Sequence, residues 1–497
     1  MDWQTAASTV NFQTRPFING DWFLQGAIAA GAAFDTCNPA NGEGLARFSG
    51  ADETTVAAAV VAARDGFKGW SRRSPLDRKA KLLAWAERVR MNKATIALLD
   101  SLEMGKPITS ALGEVDAAAD FIQYYAELAD KTTGEMAPIE VAHGLSMTYP
   151  EPRGVVGVIT PWNFPTLTAV SAIAPALAAG NAVVQKPSEY SPSSALKMAE
   201  LAVEAGIPQG VLNVIPGPGA IAGAALALHA DVDKLHFTGS TGVGKQLMIY
   251  AGQSNGKPVM LETGGKSPQI VFADALDIED IELSLAADVF SNSGQICVSR
   301  TRLLVEHDIA EALTDRLLAR TRDVFRAGNP LDTAVNFGPI ASVAQHERVQ
   351  SYISVALEQG GRCRPASLAG ELPGQGFFVA PTVVDEVDTG SRVWREEIFG
   401  PVLSVMPFRS YEEAVALAND TSYGLAATAW TRDLGRARRL SHDIEAGRID
   451  IRSGNAPGQS LAHLSAEPFG ASGHGVLGGK RGLEPYLRYK GVQFLTG

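Results

Sequence analysis

Cysteine is scarce: the chain of 497 residues carries three, Cys37, Cys297 and Cys363, widely scattered, with no C-x-x-C pair and no nearby histidine. A disulfide framework or a zinc site needs paired or clustered ligands, so neither organises this protein and no metal is expected. Basic charge is short too, with 43 Lys+Arg against 54 Asp+Glu and a formal net charge of −11. Nucleic acid and anionic membranes are gripped by concentrated Lys/Arg, so the expected partner is a small molecule, not a nucleic acid or a membrane. Long apolar runs are missing as well. The longest, TAVSAIAPALAAGNAVV, is punctuated by Pro175, Gly180 and Asn181, is expected to break there, and is too short to span a bilayer. The opening MDWQTAASTVNFQTRPFING has an early Asp and no basic segment ahead of an apolar core, unlike a secretory signal, and a cytoplasmic protein is the expectation.

What is present is ample material for a folded enzyme-sized molecule. Hydrophobic residues at 45% and charged residues at 20% suit a soluble globular chain, and the length predicts two or three domains rather than one core. Early segments such as ETTVAAAVVAARDGFKGW and PLDRKAKLLAWAERVRMNKATIALLDSLEMG repeat apolar residues at helical spacing. From residue 153 the rhythm becomes short apolar runs, GVVGVIT, NAVVQKPS, VLNVIPG and KLHFTGS, each closed by Gly, Pro or Ser and followed by a helical pattern. That alternation predicts a parallel α/β sheet, whose ligands lie beyond the carboxyl ends of the strands. A second α/β rhythm begins near residue 264, with SPQIVFAD, TRLLVEH, FFVAPTVVDEV and PVLSVMPF as strands.

Several residues just after strands could carry chemistry. In KLHFTGSTGVGK, Gly239 and Ser240 open a helix whose exposed amides suit a phosphate, although glycine-rich turns also serve structure alone. In VVQKPSEYSP, Lys186 and Glu189 suit a ribose, where the carboxylate favours NAD and disfavours NADP; a solvated loop pair is the alternative. Glu262 ends an apolar strand before Gly264 and Gly265, which would give a general base room to move, or else it caps a loop. Asn163, rigid between Trp162 and Phe164 in a proline-bounded loop, either donates to a developing oxyanion or stabilises a turn. Cys297, in SNSGQICVSR, is either a small core residue or a nucleophile. Together, thiol, carboxylate, amide and dinucleotide crevice are the parts needed to oxidise an aldehyde through a covalent intermediate.

Taken in order, FINGDW, PWNFP, KPSEYSP, FTGSTGVGK, LETGGKSP, GQICVSR, EEIFGPV, ANDTSYGLAA and PFGASG resemble the aldehyde dehydrogenase superfamily over essentially the whole chain. YAELADKTTGE, LETGGKSPQIVFAD and AWTRDLGRARRL look most like its γ-glutamyl-γ-aminobutyraldehyde dehydrogenase branch. The resemblance implies that Cys297 is the nucleophile, Glu262 the general base, and Asn163 with the Cys297 backbone amide the oxyanion donors. It also implies that Lys186 and Glu189 hold the adenosine ribose, Ser240 contacts the pyrophosphate, Trp162 lines the cofactor groove, and Glu397 and Phe399 hold the nicotinamide ribose and ring. The fold implied is a Rossmann-like dinucleotide-binding domain (1–129 and 153–262), an α/β catalytic domain (263–468) and a small β oligomerisation element (130–152 and 482–497). The strands of that element lack a partner sheet, which suggests a homodimer or homotetramer.

Departures from the family pattern bear on the substrate. Thr263 stands where many relatives carry Leu, a core-facing change expected to carry little mechanistic weight. Ser171 and Ala172 replace an aromatic and a lysine, which predicts a more open substrate tunnel. Arg452 ends a strand where the family usually has Asn; it either grips an aldehyde's distal acid group or forms a structural ion pair with Asp450 or another acid, the second being favoured. The predicted activity is NAD-dependent oxidation of an aldehyde, an amino- or semialdehyde, to its acid. An aryl aldehyde or a non-catalytic scaffold on the same fold is the alternative.

Overall fold

The computed structural model describes residues 2–23, 32–138, 144–455 and 462–495. Among its helices, Glu53–Trp70 and Pro75–Met91 form as the spacing predicts, and Asn92 then separates the second from α1 (Lys93–Met104). Next come α2 (Ile108–Leu128) and, after the strand Val155–Ile159, α3 (Pro165–Ala178). Helix α3 runs straight through Pro175, against the expectation of a break there. Its residues from Ala169 to Ala178 are all buried, so packing outweighs the one hydrogen bond the proline cannot donate. The chain turns instead at Gly180, which has φ of 97°.

Five strands make the parallel part of the first sheet: β1 (Val155–Ile159), β2 (Ala182–Lys186), β3 (Leu212–Val214), β4 (Lys234–Thr238) and β5 (Val259–Glu262), in the order β3-β2-β1-β4-β5. Their residues are almost all buried, as in strands covered by helices on both faces. Val156 and Val158 pack with α2, α3 and the earlier helices, while Val155 and Ile159 pack on the opposite face with Leu235 and Leu247. The direction of strand order reverses between β1 and β4, so the ends of those two strands open a crevice. Helix α4 (Thr241–Gln253) follows β4, with Ser240 as its N-cap.

A second parallel sheet holds β6 (Pro268–Val271), β7 (Arg302–Glu306), β8 (Thr382–Asp385), β9 (Val402–Phe408), β10 (Ala426–Trp430) and β11 (Arg448–Arg452), in the order β8-β9-β7-β6-β10-β11. Residues 263–267 alone connect β5 to β6, so the two sheets meet beside Glu262. Gly473–His474, in a stretch outside the three expected domains, returns to the first sheet and pairs antiparallel with β5.

The strands expected to lack a partner sheet find one in each other. Leu487–Leu495 pairs antiparallel with Gly144–Pro152 along its whole length, and Glu135–Ala137 pairs on the other side. Register matched over so long a stretch satisfies backbone groups that neither segment could satisfy alone. Residues 139–143 and 496–497 of that expected element lie outside the described residues, as do 24–31 and 456–461 of the other two. Among the described residues no helix is long and apolar enough to cross a membrane.

Candidate active site

The crevice at the reversal point collects side chains from both sheets. The loop after β1 brings Trp162, Asn163 and Phe164, the turn after β4 brings Gly239 and Ser240, and β5 ends on Glu262. The second half of the chain brings Cys297 from the loop before β7, and Glu397 and Phe399 from the loop before β9. All of them line one cavity of about 320 Å3.

The loop bearing the thiol is conformationally unusual. Asn292, Ser293 and Gly294 have φ of 50°, 56° and 72°, a region that costs a non-glycine residue roughly 1–3 kcal/mol unless its surroundings enforce it. Here they do. Ser293 Oγ donates to the Gly338 carbonyl at 2.6 Å, and Gln295 Nε2 donates to the carbonyls of Asn292 at 3.1 Å and Pro339 at 3.3 Å. Gln295 Oε1 accepts from the Ala341 amide at 2.9 Å. A side chain at Gly294 would strike the Gly400 carbonyl. This loop is tied to the loop after β1 in both directions: Asn163 Nδ2 donates to the Gln295 carbonyl at 2.8 Å, and Asn292 Nδ2 donates to the Asn163 carbonyl at 3.2 Å. The Asn163 carboxamide, 4% exposed, is thereby held rigid with a second N–H left to offer.

Burial dominates the electrostatics. It pushes Glu262 up to about 8, with the charge of Glu467 adding to the effect, and Glu262 Oε1 has no hydrogen-bond partner among the described residues. Burial pushes the Cys297 thiol up to about 12, and the carboxyls of Glu262 and Glu397 push the same way. Glu397 rises to about 7 through burial, opposed by the Gly265 amide that donates to its Oε1 at 3.0 Å and by the nearby Lys266. The cavity is thus a low-polarity pocket in which a carboxyl near neutrality stands with a thiol that needs a base.

The two glycines after Glu262 are each approached closely from across the cavity. A side chain at Gly264 would collide with the Glu397 carboxylate, and one at Gly265 would lie 2.8 Å from the Cys297 carbonyl oxygen. They make room for the opposite wall. Thr263 also does more than fill a core: it lines the cavity, and its Oγ1 donates to the Ala471 carbonyl at 2.6 Å, which latches the segment after Phe469 against the site.

Other expected residues stand apart from the cavity wall. Lys186 Nζ donates to Glu189 Oε2 at 3.1 Å at the end of β2. Ser171 turns back to donate to the Thr168 carbonyl at 2.8 Å, and Thr168, one turn earlier, lines the cavity in its place. Arg452 lies over the Trp430 ring at 5.2 Å and reaches Asp288 at 3.8 Å, while Asp450 is taken by Arg300 at 2.7 Å and Arg448 at 3.0 Å. Residues that sequence reasoning missed include Gln345 and Arg348. Gln345 Nε2 donates to the carbonyls of Ile398 at 3.0 Å and Phe399 at 2.8 Å, holding Phe399 at φ of 61° with its ring edge-on to Trp162. Arg348 donates to the Glu397 carbonyl at 2.7 Å. Their only signal in sequence is three-residue spacing on one helix face, which ordinary surface helices share.

A doubly wound sheet, a second parallel sheet and a thiol-bearing cleft between them define a two-sheet α/β protein with a Rossmann-like half. The chain belongs to the aldehyde dehydrogenase family, whose model matches residues 28–492. It is 41% identical over 496 residues to the NADP/NAD-dependent aldehyde dehydrogenase PuuC of Escherichia coli, covering 99% of this chain and 97% of that one. It is 41% identical to an aminoacetaldehyde dehydrogenase of Pseudomonas aeruginosa, covering 96% and 94%. Among solved structures, the indole-3-acetaldehyde dehydrogenase AldA of P. syringae, in complex with NAD+ and IAA, superposes with a TM-score of 0.94 at 40% identity, covering 99% of each chain. The γ-glutamyl-γ-aminobutyraldehyde dehydrogenase of Burkholderia cenocepacia superposes with a TM-score of 0.93 at 41% identity, covering 99% of this chain and 98% of that one.

Proposed function

We propose that this protein oxidises an amino-aldehyde to its carboxylic acid with NAD, through a covalent bond to Cys297. The observation that carries this reading is that Cys297, Glu262 and Asn163 open into one cavity at the reversal point of a doubly wound sheet.

The chain's own residues suit a dinucleotide. Ser240 caps α4, its Oγ accepting from the Val243 amide at 3.4 Å, and a side chain at Gly242 would meet no atom within 4 Å beyond its chain neighbours and the helix's own backbone. That open helix start is a place for a pyrophosphate. Lys186 and Glu189 would hold the adenosine ribose, with the carboxylate opposing a 2′-phosphate, so NAD is preferred and NADP is disfavoured without being barred. Trp162 would line the cofactor groove, Phe399 would hold the nicotinamide ring, and Glu397 would accept from its ribose. When bound, NAD supplies the acceptor for the aldehyde's hydride.

Cys297 attacks the carbonyl carbon, giving up its proton to ionised Glu262 as the C–S bond forms. The carbonyl oxygen, now negative, is met by Asn163 Nδ2 and the Cys297 backbone amide. Loss of hydride from the same carbon leaves a thioester. Glu262, having released its first proton to solvent, takes one from water, which attacks the thioester and frees the acid and the thiolate. Engagement of Arg452 by Asp288 supports an amino-aldehyde over one with a distal carboxylate. The proposed division of labour follows the expected boundaries, 1–129 and 153–262 for the dinucleotide and 263–468 for catalysis. The sheet of 130–152 and 482–497 serves as a contact between copies, because Met136, Tyr489, Phe494 and Leu495 lie exposed on it.

NADH formation over a panel of amino, aryl, aliphatic and acid-bearing aldehydes, run beside Cys297→Ala, tests the reading. Turnover best with amino-aldehydes and abolished in the variant is the expected result. Turnover surviving in Cys297→Ala, or none with any aldehyde, refutes it.

A further inference from the structure

An ion pair is buried behind the loop that carries Asn163, and the chemistry above does not use it. Lys106, from the turn between α1 and α2, contacts the Glu114 carboxylate, and both side chains are 2% exposed. A buried pair of this kind contributes little net stability, because desolvating two charges offsets most of their attraction. Stability therefore does not explain its presence.

Its contacts do. Glu114 Oε1 accepts from the Leu167 backbone amide at 3.1 Å, within the first turn of α3. That helix begins right after Asn163: Phe164 is its N-cap residue and offers no side-chain hydrogen bond, and Pro165 has no N–H. A helix start leaves amides without partners, and here a carboxylate from α2 supplies the missing acceptor at the end where negative charge is favoured. The Lys106 ammonium also sits over the Phe164 ring, 3.9 Å from its centre. One turn is thus held at two neighbouring points, with a third tie where Thr166 Oγ1 donates to Asp100 Oδ2 at 2.8 Å.

We infer that Glu114, paired with Lys106, is a positioning residue: it caps α3 from a neighbouring helix and so fixes the turn that aims the Asn163 carboxamide. This rests on the proposed role of Asn163 and goes beyond it, because Glu114 and Lys106 do not line the cavity.

Two charge-neutral replacements of the pair separate aiming from mere folding. Lys106→Met with Glu114→Gln keeps an oxygen facing the Leu167 amide. Lys106→Met with Glu114→Leu keeps the bulk and removes the acceptor. The first should retain kcat within about threefold, whereas the second should lose up to about 10²-fold in kcat, the scale of a small misplacement of a catalytic group, with KM for NAD unchanged in both. In an Asn163→Ala background the Leu version should cost less than about threefold more, since what it misaims is already gone. Equal kcat in the two neutral pairs, or a full further loss in the Asn163→Ala background, overturns the inference while leaving the proposed function standing. Wild-type kcat in Asn163→Ala alone removes the oxyanion assignment and the inference with it. If a neutral pair fails to fold by circular dichroism, Thr166→Val reads the same turn through its Asp100 tie. A kcat lowered about tenfold at constant KM for NAD supports the inference, and an unaltered kcat overturns it.

Discussion

The sharpest consequence of the site is its dependence on Glu262 ionisation. Burial, with Glu467 in support, holds this carboxyl near 8. At pH 7 about one molecule in ten then carries the carboxylate, and at pH 8 about half do. If the carboxylate takes the protons of the thiol and of water, turnover rises about fivefold between those two values and levels off about one further unit up. An ordinary carboxyl would already be fully ionised across that range and would give no such rise. Glu262→Gln should abolish the rise and lower kcat by about 10²–10⁴-fold, the usual worth of a positioned general base. The assay is kcat/KM for aldehyde and for NAD, from initial rates of NADH formation at pH 6 to 10, beside unfolding midpoints at each pH. Stability has its own sign. The folded value lies above the ordinary 4.5, so the favourable contribution of the protonated group is complete below that value and is lost as pH rises through about 8. Glu262→Gln should therefore be relatively more stable than wild type at pH 9 than at pH 5. A rate midpoint near the ordinary carboxylate value, or a rise that persists in Glu262→Gln, refutes the reasoning.

Two further outcomes follow from side-chain placement. Gly264→Ala thrusts a methyl group into the Glu397 carboxylate, so KM for NAD should rise about tenfold, the worth of one hydrogen bond to a charged group, in steady-state titrations of the cofactor. Arg452→Ala removes a partly exposed ion pair with Asp288 and a stacking contact on Trp430. Together these contribute about 1–2 kcal/mol in a denaturant titration, and KM for acid-bearing aldehydes should not move relative to that for simple ones.

Much of this was legible from local pattern. The strands GVVGVIT and NAVVQKPS lie where their apolar runs place them, because a parallel strand buried on both faces must be apolar throughout. Helix α4 begins where Ser240 invites a cap. Other features were hidden because they depend on distant residues. Nothing near Pro175 indicates that α3 will bury it, and nothing near Glu397 explains why Gly264 must lack a side chain. The two outer β segments lie 335 or more positions apart; the family resemblance assigns them to one element, but only the folded chain gives their register.

Residue type and spacing by themselves determined the two parallel sheets and the kind of groups that follow the strands. Those properties follow from backbone geometry and from side-chain polarity, which act over a few residues. Tertiary structure alone decided that Cys297, Glu262 and Asn163 share one cavity while Ser171 and Arg452 turn to other partners. It also decided how far Glu262 rises, to about 8, because desolvation depends on what the whole chain packs around a carboxyl, whereas the apolar strand before it indicates only the direction.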